Sequence, residues 1–187
     1  MINTTHLVDS MLARGIKVIK IFSPEHGFRG LADDGEEVAS GIDEKTKLPV
    51  VSLYGDHRKP TEKDLKGIDI VVYDIQDVGT RFYTFISTMT YCMEACAEQK
   101  KAFLILDRPN PNGYFVDGPV MEKEHMSWVG LHPVPIVYGM TIAEYAKMVN
   151  EEKWLTAGVH CDLKWIACKD YSHNDLYQLP VRTSPNL

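Results

Sequence analysis

The sequence predicts a doubly wound α/β domain: a mainly parallel sheet with helices on both faces. Short runs such as IDIVVYD and AFLILD are almost wholly apolar, which suits strands covered on both sides rather than strands with one wet face. Those runs alternate with stretches whose apolar residues recur at helical spacing. Gly, Pro and Asn gather between the two kinds of stretch, marking the turns. The size agrees, since 187 residues suit one domain with a real core, and a chain 44% apolar and 25% charged has a globular composition.

Taken in order, Thr4 or Thr5 is expected to cap a first helix with Leu7, Met11 and Leu12 on one side, and Gly15 to end it. A strand follows over Lys17 to Phe22. LPVVSLYG is a second extended piece, and in PTEKDLKG the spacing of Thr61 and Asp64 is that of a capping box opening a short helix. IDIVVYD is the next strand. Phe85 to Lys100 reads as a helix with Ile86, Met89, Met93 and Cys96 near one face, and AFLILD follows as a strand. PNPNGYFVDGP is loop, PVPIVYGM is a short extended segment, Thr141 begins the helix TIAEYAKMVNEEKW, and CDLKWIAC is the last strand. Residues 1–170 are therefore expected to form the domain and residues 171–187 an irregular tail.

Several classes are disfavoured. No stretch approaches the roughly 20 apolar residues of a membrane span. The net charge of −6, with Lys and Arg scattered, argues against a nucleic-acid partner. The nucleophile elbow, the P-loop and the dinucleotide fingerprint are absent, so no Rossmann cofactor is implied. Cys92, Cys96, Cys161 and Cys168 read as buried free thiols; a disulfide or a metal is the alternative, but no second pair has zinc-site spacing. The opening MINTTHLVDSMLARG lacks the features of a signal peptide, which as given points to the cytoplasm.

In such a sheet, ligands bind beyond the carboxyl ends of the strands, where loops and helix N-termini converge. Three strands here run into polar loops. The first meets Glu25 and His26, with Arg29 close behind; the second meets Asp74, Gln76, Asp77 and Arg81; the third meets Asp107, Arg108, Asn110 and Asn112. The opposite connections, RGIK, LKGID and EQKKAF, are short and bland. Plain structural roles compete at each position. Asp74 and Asp77 can brace their loop with Arg81 as partner, Asp107 and Arg108 can form an ion pair, and Glu144 stands three residues after Thr141 as in a capping box. His57, His125 and His173 read as solvated surface histidines. Glu25, His26, Asp74, Asp77 and Asp107 are also metal-ligand types, although no ligand spacing unites them. Paired carboxylates beside the aromatic edges of Phe82, Tyr83, Tyr114 and Tyr138 suit glycoside hydrolysis, in which an acid protonates the leaving oxygen while a second group supports the oxocarbenium ion.

Five segments say more. FSPEHGFRG, YDIQDVGTRFYTFI, LDRPNPNGYFVDGPV, HPVPIVYGMTIAEYAKMVN and LPVRTSPNL, in this order, resemble the exo-β-N-acetylmuramidase family, long catalogued as a domain of unknown function. The resemblance implies a Rossmann-like domain joined to a smaller C-terminal one, with a cleft at the junction. It implies an exo-acting glycoside hydrolase that needs no cofactor or metal and removes N-acetylmuramic acid from the non-reducing end of peptidoglycan fragments in cell-wall turnover and recycling. By the same resemblance Glu25 is the candidate acid with His26 beside it, and Asp74, Asp77 or Glu144 is its partner. Gln76, Asp77, Arg81, Tyr83, Asp107, Arg108, Asn110, Asn112, Tyr138 and Thr141 are candidate substrate-binding residues, with Arg81 or Arg108 suited to the lactyl carboxylate.

Departures from the family pattern accompany the matches. Ala143 stands where Gly is expected, and NEE replaces NGE. Family members begin with a further apolar strand, often after an export signal that places them in the periplasm or outside the cell, and they continue past SPNL. The chain is thus expected to be a fragment. A catalytically silent muramyl-sugar-binding domain, self-associating through an exposed sheet edge, is the alternative to an active enzyme, and a metal-dependent hydrolase is a weaker third reading.

Overall fold

A computed structural model of the chain describes residues 5–28 and 40–180. These residues divide into two compact units, with the boundary between Arg58 and Lys59. Both have α/β architecture, the first with one parallel and one antiparallel ladder and the second wholly parallel, and the chain has the expected Rossmann-like fold.

In the first unit, helix α1 (Leu7–Ala13) precedes strands β1 (Ile21–Ser23), β2 (Gly41–Ile42) and β3 (Pro49–Ser52). β1 lies parallel to β3, with Ile21 opposite Val50 and Ser23 opposite Ser52, while β2 runs antiparallel on the other side of β3. The helix is capped by His6 rather than by a threonine: its extended backbone turns the ring Nδ1 to within 3.3 Å of the Val8 amide, which donates to it. Thr4 lies outside the described residues. Of the anticipated Lys17–Phe22 strand only Ile21 and Phe22 join a ladder, and Ser23 extends it by one residue, the three pairing with Val50–Ser52 of the short β3. β2 was not legible beforehand; its two residues are exposed and carry no periodicity.

The second unit is built on strands β4 (Ile70–Tyr73), β5 (Ala102–Leu106) and β6 (Asp162–Ile166), all parallel, with β5 in the centre. Helix α2 (Glu62–Leu65) leads into β4 under the anticipated Thr61–Asp64 capping box. Helix α3 (Phe85–Glu98) returns from β4 to β5, and helix α4 (Ile142–Glu151) from β5 to β6. Burial shows what these helices cover. Phe103 and Ile105 of β5 are wholly buried, as are Ile86, Met89 and Met93 of α3 and Tyr145, Ala146 and Val149 of α4. Each large apolar side chain removed from water in this way contributes about 1.5–3 kcal/mol, which makes the α3–α4–β5 contact the main source of cohesion in this unit. Ala102, Leu104 and Leu106, on the opposite face of β5, are half-buried.

PVPIVYGM forms no strand. Val137 instead makes isolated bridges to Thr80 and Asp117, tying two loops together. The cysteines are free thiols, with Cys92, Cys96 and Cys161 buried, and burial pushes the Cys92 and Cys161 thiols up to about 12. Among the described residues no helix is long and apolar enough to cross a membrane.

Candidate functional site

Because β4, β5 and β6 are parallel, their carboxyl ends share one edge, and the loops that follow them meet there with the N-terminus of α4. Asp74, just past β4, accepts from Arg108, just past β5. The guanidinium Nε and Nη2 lie 3.0 and 2.5 Å from one carboxylate oxygen. The sequence had suggested Arg81 for Asp74 and Arg108 for Asp107. Register decides otherwise: Tyr73 lies opposite Ile105, so the loops begin side by side. Asp107, next to Arg108 in the chain, accepts from the Ala143 amide at 3.0 Å. Desolvation raises the Asp107 carboxyl, while bonds from Ala143 and Thr141 lower it.

The head of α4 is a complete capping box. The Thr141 hydroxyl accepts from the Glu144 amide at 3.3 Å, and Glu144 Oε2 accepts from the Thr141 amide at 2.8 Å. Asp107 therefore adds a third acceptor at this terminus, which favours negative charge.

Arg81 is committed to the scaffold. Its amide donates to Ile136, and its Nη1 donates to the carbonyls of Pro119 at 2.8 Å and Val134 at 2.5 Å. Asp77 is buried and accepts from the Gly79 amide at 2.8 Å and from the Tyr138 hydroxyl. Burial raises the Asp77 carboxyl and holds the Tyr138 phenol well above its ordinary range. In this geometry Arg81, Asp77 and Tyr138 brace the loops; the sequence offers that role for Asp77 and Arg81, but gives Tyr138 only as an aromatic edge and cleft residue. Asn110 is a hub: its Nδ2 donates to Met140, and its Oδ1 accepts from the Asn112 amide, each at 2.8 Å. Asn112 Nδ2 donates to Val78, and Gln76 Nε2 donates to the Asp77 and Pro109 carbonyls. A Cβ on Gly79 would stand 2.3 Å from the Asn110 amide, so only glycine admits this approach, at φ +75°. Tyr83 is half-buried, with its ring centroid 5.2 Å from that of exposed Phe82.

The sequence reading missed the loop after β6. Tyr171 Oη lies 3.3 Å from the Asn110 amide and 3.2 Å from the Asn110 carbonyl, able to accept from one and donate to the other. His173 was read as solvated; its ring instead contacts Glu144 and Gly113. Half-buried Cys168 lies in the field of Asp107, Arg108 and Glu144. The rule applied to three strands would have found these residues had it been applied to the fourth. His132, also unforeseen, is buried against Tyr145 and Trp154, and desolvation lowers it to about 4.

Glu25 and His26 belong to the first unit, in the turn that follows β1. The Gly27 amide donates to the Pro24 carbonyl at 3.2 Å, and His26 sits at φ 68°. Only a few per cent of non-glycine residues adopt that left-handed conformation, and it concentrates at functional positions. Both side chains are half-buried, and Arg29 lies outside the described residues. Among the described residues, the three ligand-type side chains whose donor atoms lie within 4.8 Å of one another are Glu122, Glu124 and His125, all exposed. Asp74, Asp77 and Asp107 are engaged instead by Arg108, Tyr138 and Ala143.

A Rossmann-like sheet with carboxylates and an arginine crowded on its carboxyl edge defines a class, and comparison with known proteins gives it a family. The chain belongs to the family described as exo-beta-N-acetylmuramidase NamZ, N-terminal, which matches residues 2–187. One relative is the peptidoglycan beta-N-acetylmuramidase NamZ of Bacillus subtilis (strain 168), 49% identical over 177 residues that make up 92% of this chain and 42% of the relative. Two crystal structures of DUF1343 family proteins from Bacteroides fragilis NCTC 9343 superpose closely. One has a TM-score of 0.86 at 48% identity over 96% of this chain and 47% of its own. The other has a TM-score of 0.80 at 40% identity over 91% and 43%. The chain thus spans less than half the length of each.

Proposed function

We propose that this chain is the N-terminal part of an exo-acting β-N-acetylmuramidase that releases N-acetylmuramic acid from the non-reducing end of peptidoglycan fragments. The observation that carries the reading is 49% identity, across 92% of the chain, to a relative with peptidoglycan β-N-acetylmuramidase activity. Glu25 is the proposed general acid, protonating the glycosidic oxygen, with His26 beside it. Asp74 or Glu144 is the proposed second carboxylate: Asp74 is held in place by Arg108, and Glu144 is the more exposed of the two. Since Arg81 is a strut, Arg108 is the better candidate for the lactyl carboxylate, and its bond to Asp74 orients it. The substrate is a muramyl saccharide, and no step requires a cofactor.

The test is hydrolysis of an N-acetylmuramyl-N-acetylglucosamine disaccharide by this chain, by a version extended to the relatives' length, and by Glu25→Gln of each. Release of N-acetylmuramic acid that vanishes in Glu25→Gln is expected. An extended protein that folds but leaves the disaccharide intact overturns the reading.

A further inference from the structure

We propose that His173 is a positioning residue of the candidate site that acts as an imidazolium, clasping the Glu144 carboxylate at the head of α4 to the Gly113 carbonyl in the loop after β5. Its Nε2 lies 3.0 Å from Glu144 Oε1 and its Nδ1 lies 3.3 Å from the Gly113 oxygen. Both partners only accept. A neutral imidazole has one N–H and one lone pair, so it satisfies one of these contacts and turns a lone pair toward the other. The cation satisfies both.

The surroundings favour the cation. Glu144 carries two duties, capping α4 through one oxygen and receiving His173 through the other. The hydrogen bond to Glu144 is the largest influence raising the His173 ring above its ordinary 6.5, partly opposed by desolvation and reinforced by the carbonyls of Gly113 and Gly139. The other ionisable groups in this neighbourhood are Tyr171 and Cys168 from the same segment and Asp107 and Arg108 from the loop after β5. Arg108 opposes a second cation, but it is paired with Asp74. Tyr171, whose ring centroid is 5.8 Å from that of His173, grips the Asn110 backbone in the same way that His173 grips Gly113. The segment from Tyr171 to His173 is thus a strap across the loop after β5, buckled to α4 through Glu144. A group with a raised folded pKa contributes its stabilisation at low pH and loses it as pH rises through that pKa. The buckle is therefore closed in acid and opens above the His173 midpoint.

The clasp rests on the muramidase reading only for its effect on rate, so the decisive experiment does not use turnover. NMR of the full chain from about pH 5 to about pH 9 follows the His173 ring nitrogens and the backbone amides of Gly113, Tyr114 and Ala143. In the wild type, His173 is expected to titrate above 6.5 from a doubly protonated ring, with those amides moving at the same midpoint. In Glu144→Gln the midpoint is expected to fall back toward 6.5, and in His173→Gln the amide titration disappears. A wild-type His173 that titrates at or below 6.5, or whose titration leaves the amides unmoved, overturns the clasp. Hydrolysis measured in parallel should decline along the same midpoint. Co-titration without any hydrolysis supports the clasp and counts against the muramidase reading alone.

Discussion

Replacing Arg81 by methionine keeps most of its aliphatic stem and removes the guanidinium that joins two carbonyls from separate loop segments. The Val134 carbonyl keeps the Met121 amide as a donor, so what is lost there is a part-buried hydrogen bond from a charged group, about 1.5–3 kcal/mol. The bond to Pro119 is exposed and contributes less, about 0.5–1 kcal/mol. The loss is then roughly 2–4 kcal/mol, and for a chain of this length each kcal/mol lowers the melting temperature by roughly 2–4 °C. Arg81→Met should therefore melt on the order of 10 °C below wild type. Arg81→Lys should recover only part of that, because an ammonium lacks the planar fork that reaches two acceptors at fixed angles. Thermal melts of both variants are to be read beside KM and kcat on a muramyl disaccharide. An Arg81→Met protein that melts within about 2 °C of wild type yet shows a KM raised about tenfold would refute the argument. It would show that the guanidinium serves the ligand and not the loops.

Three further outcomes follow from burial and backbone geometry. His132 is neutral when folded, so between its unfolded 6.5 and its folded value of about 4 the unfolded chain binds the extra proton. Stability should fall by up to roughly 3 kcal/mol as pH drops through that window, and His132→Gln should flatten this limb in urea titrations. Gly79→Ala adds a Cβ at φ +75° against the Asn110 amide and should lower the unfolding free energy by at least about 2 kcal/mol; a neutral result in denaturant melts would contradict the close approach. A thiol reagent should label Cys168 alone in the native protein and all four cysteines in denaturant, so mass spectrometry showing rapid native labelling of Cys92, Cys96 or Cys161 would rule out their burial.

How much could be read in advance depended on how local each cause was. The apolar runs that became β4 and β5, and the Thr61–Asp64 and Thr141–Glu144 boxes, are written in a few adjacent residues and formed where expected. The edge that collects the loops after β4 and β5 also followed, since it needs only the direction of those strands, whereas β1 belongs to the separate sheet of the first unit. What could not be read was partner choice. Asp74 chose Arg108, 34 residues away, because register places the two loops together, and no spacing in the chain encodes register. Arg81 looked like a ligand hook and is a strut, since the carbonyls it holds lie 38 and 53 residues further on. His6 outdid the threonines as a cap through its own backbone angles. His173 was misjudged because a polar neighbourhood in sequence does not reveal a carboxylate 29 residues upstream.

The Asn110 hub changes what variation this edge tolerates. Surface loops ordinarily diverge one at a time, because each is an independent excursion from the scaffold. Here one amide touches Met140 before α4, shapes its own loop through Asn112, and occupies the space that Gly79 leaves in the loop after β4. The Tyr171 hydroxyl adds the loop after β6 to the same residue. A lengthened or redirected version of any of these segments must bring compatible versions of the others with it. Anyone wishing to graft a new specificity onto this scaffold should exchange the interlocked loops as a single cassette, with Asn110 and Gly79 kept as its joint.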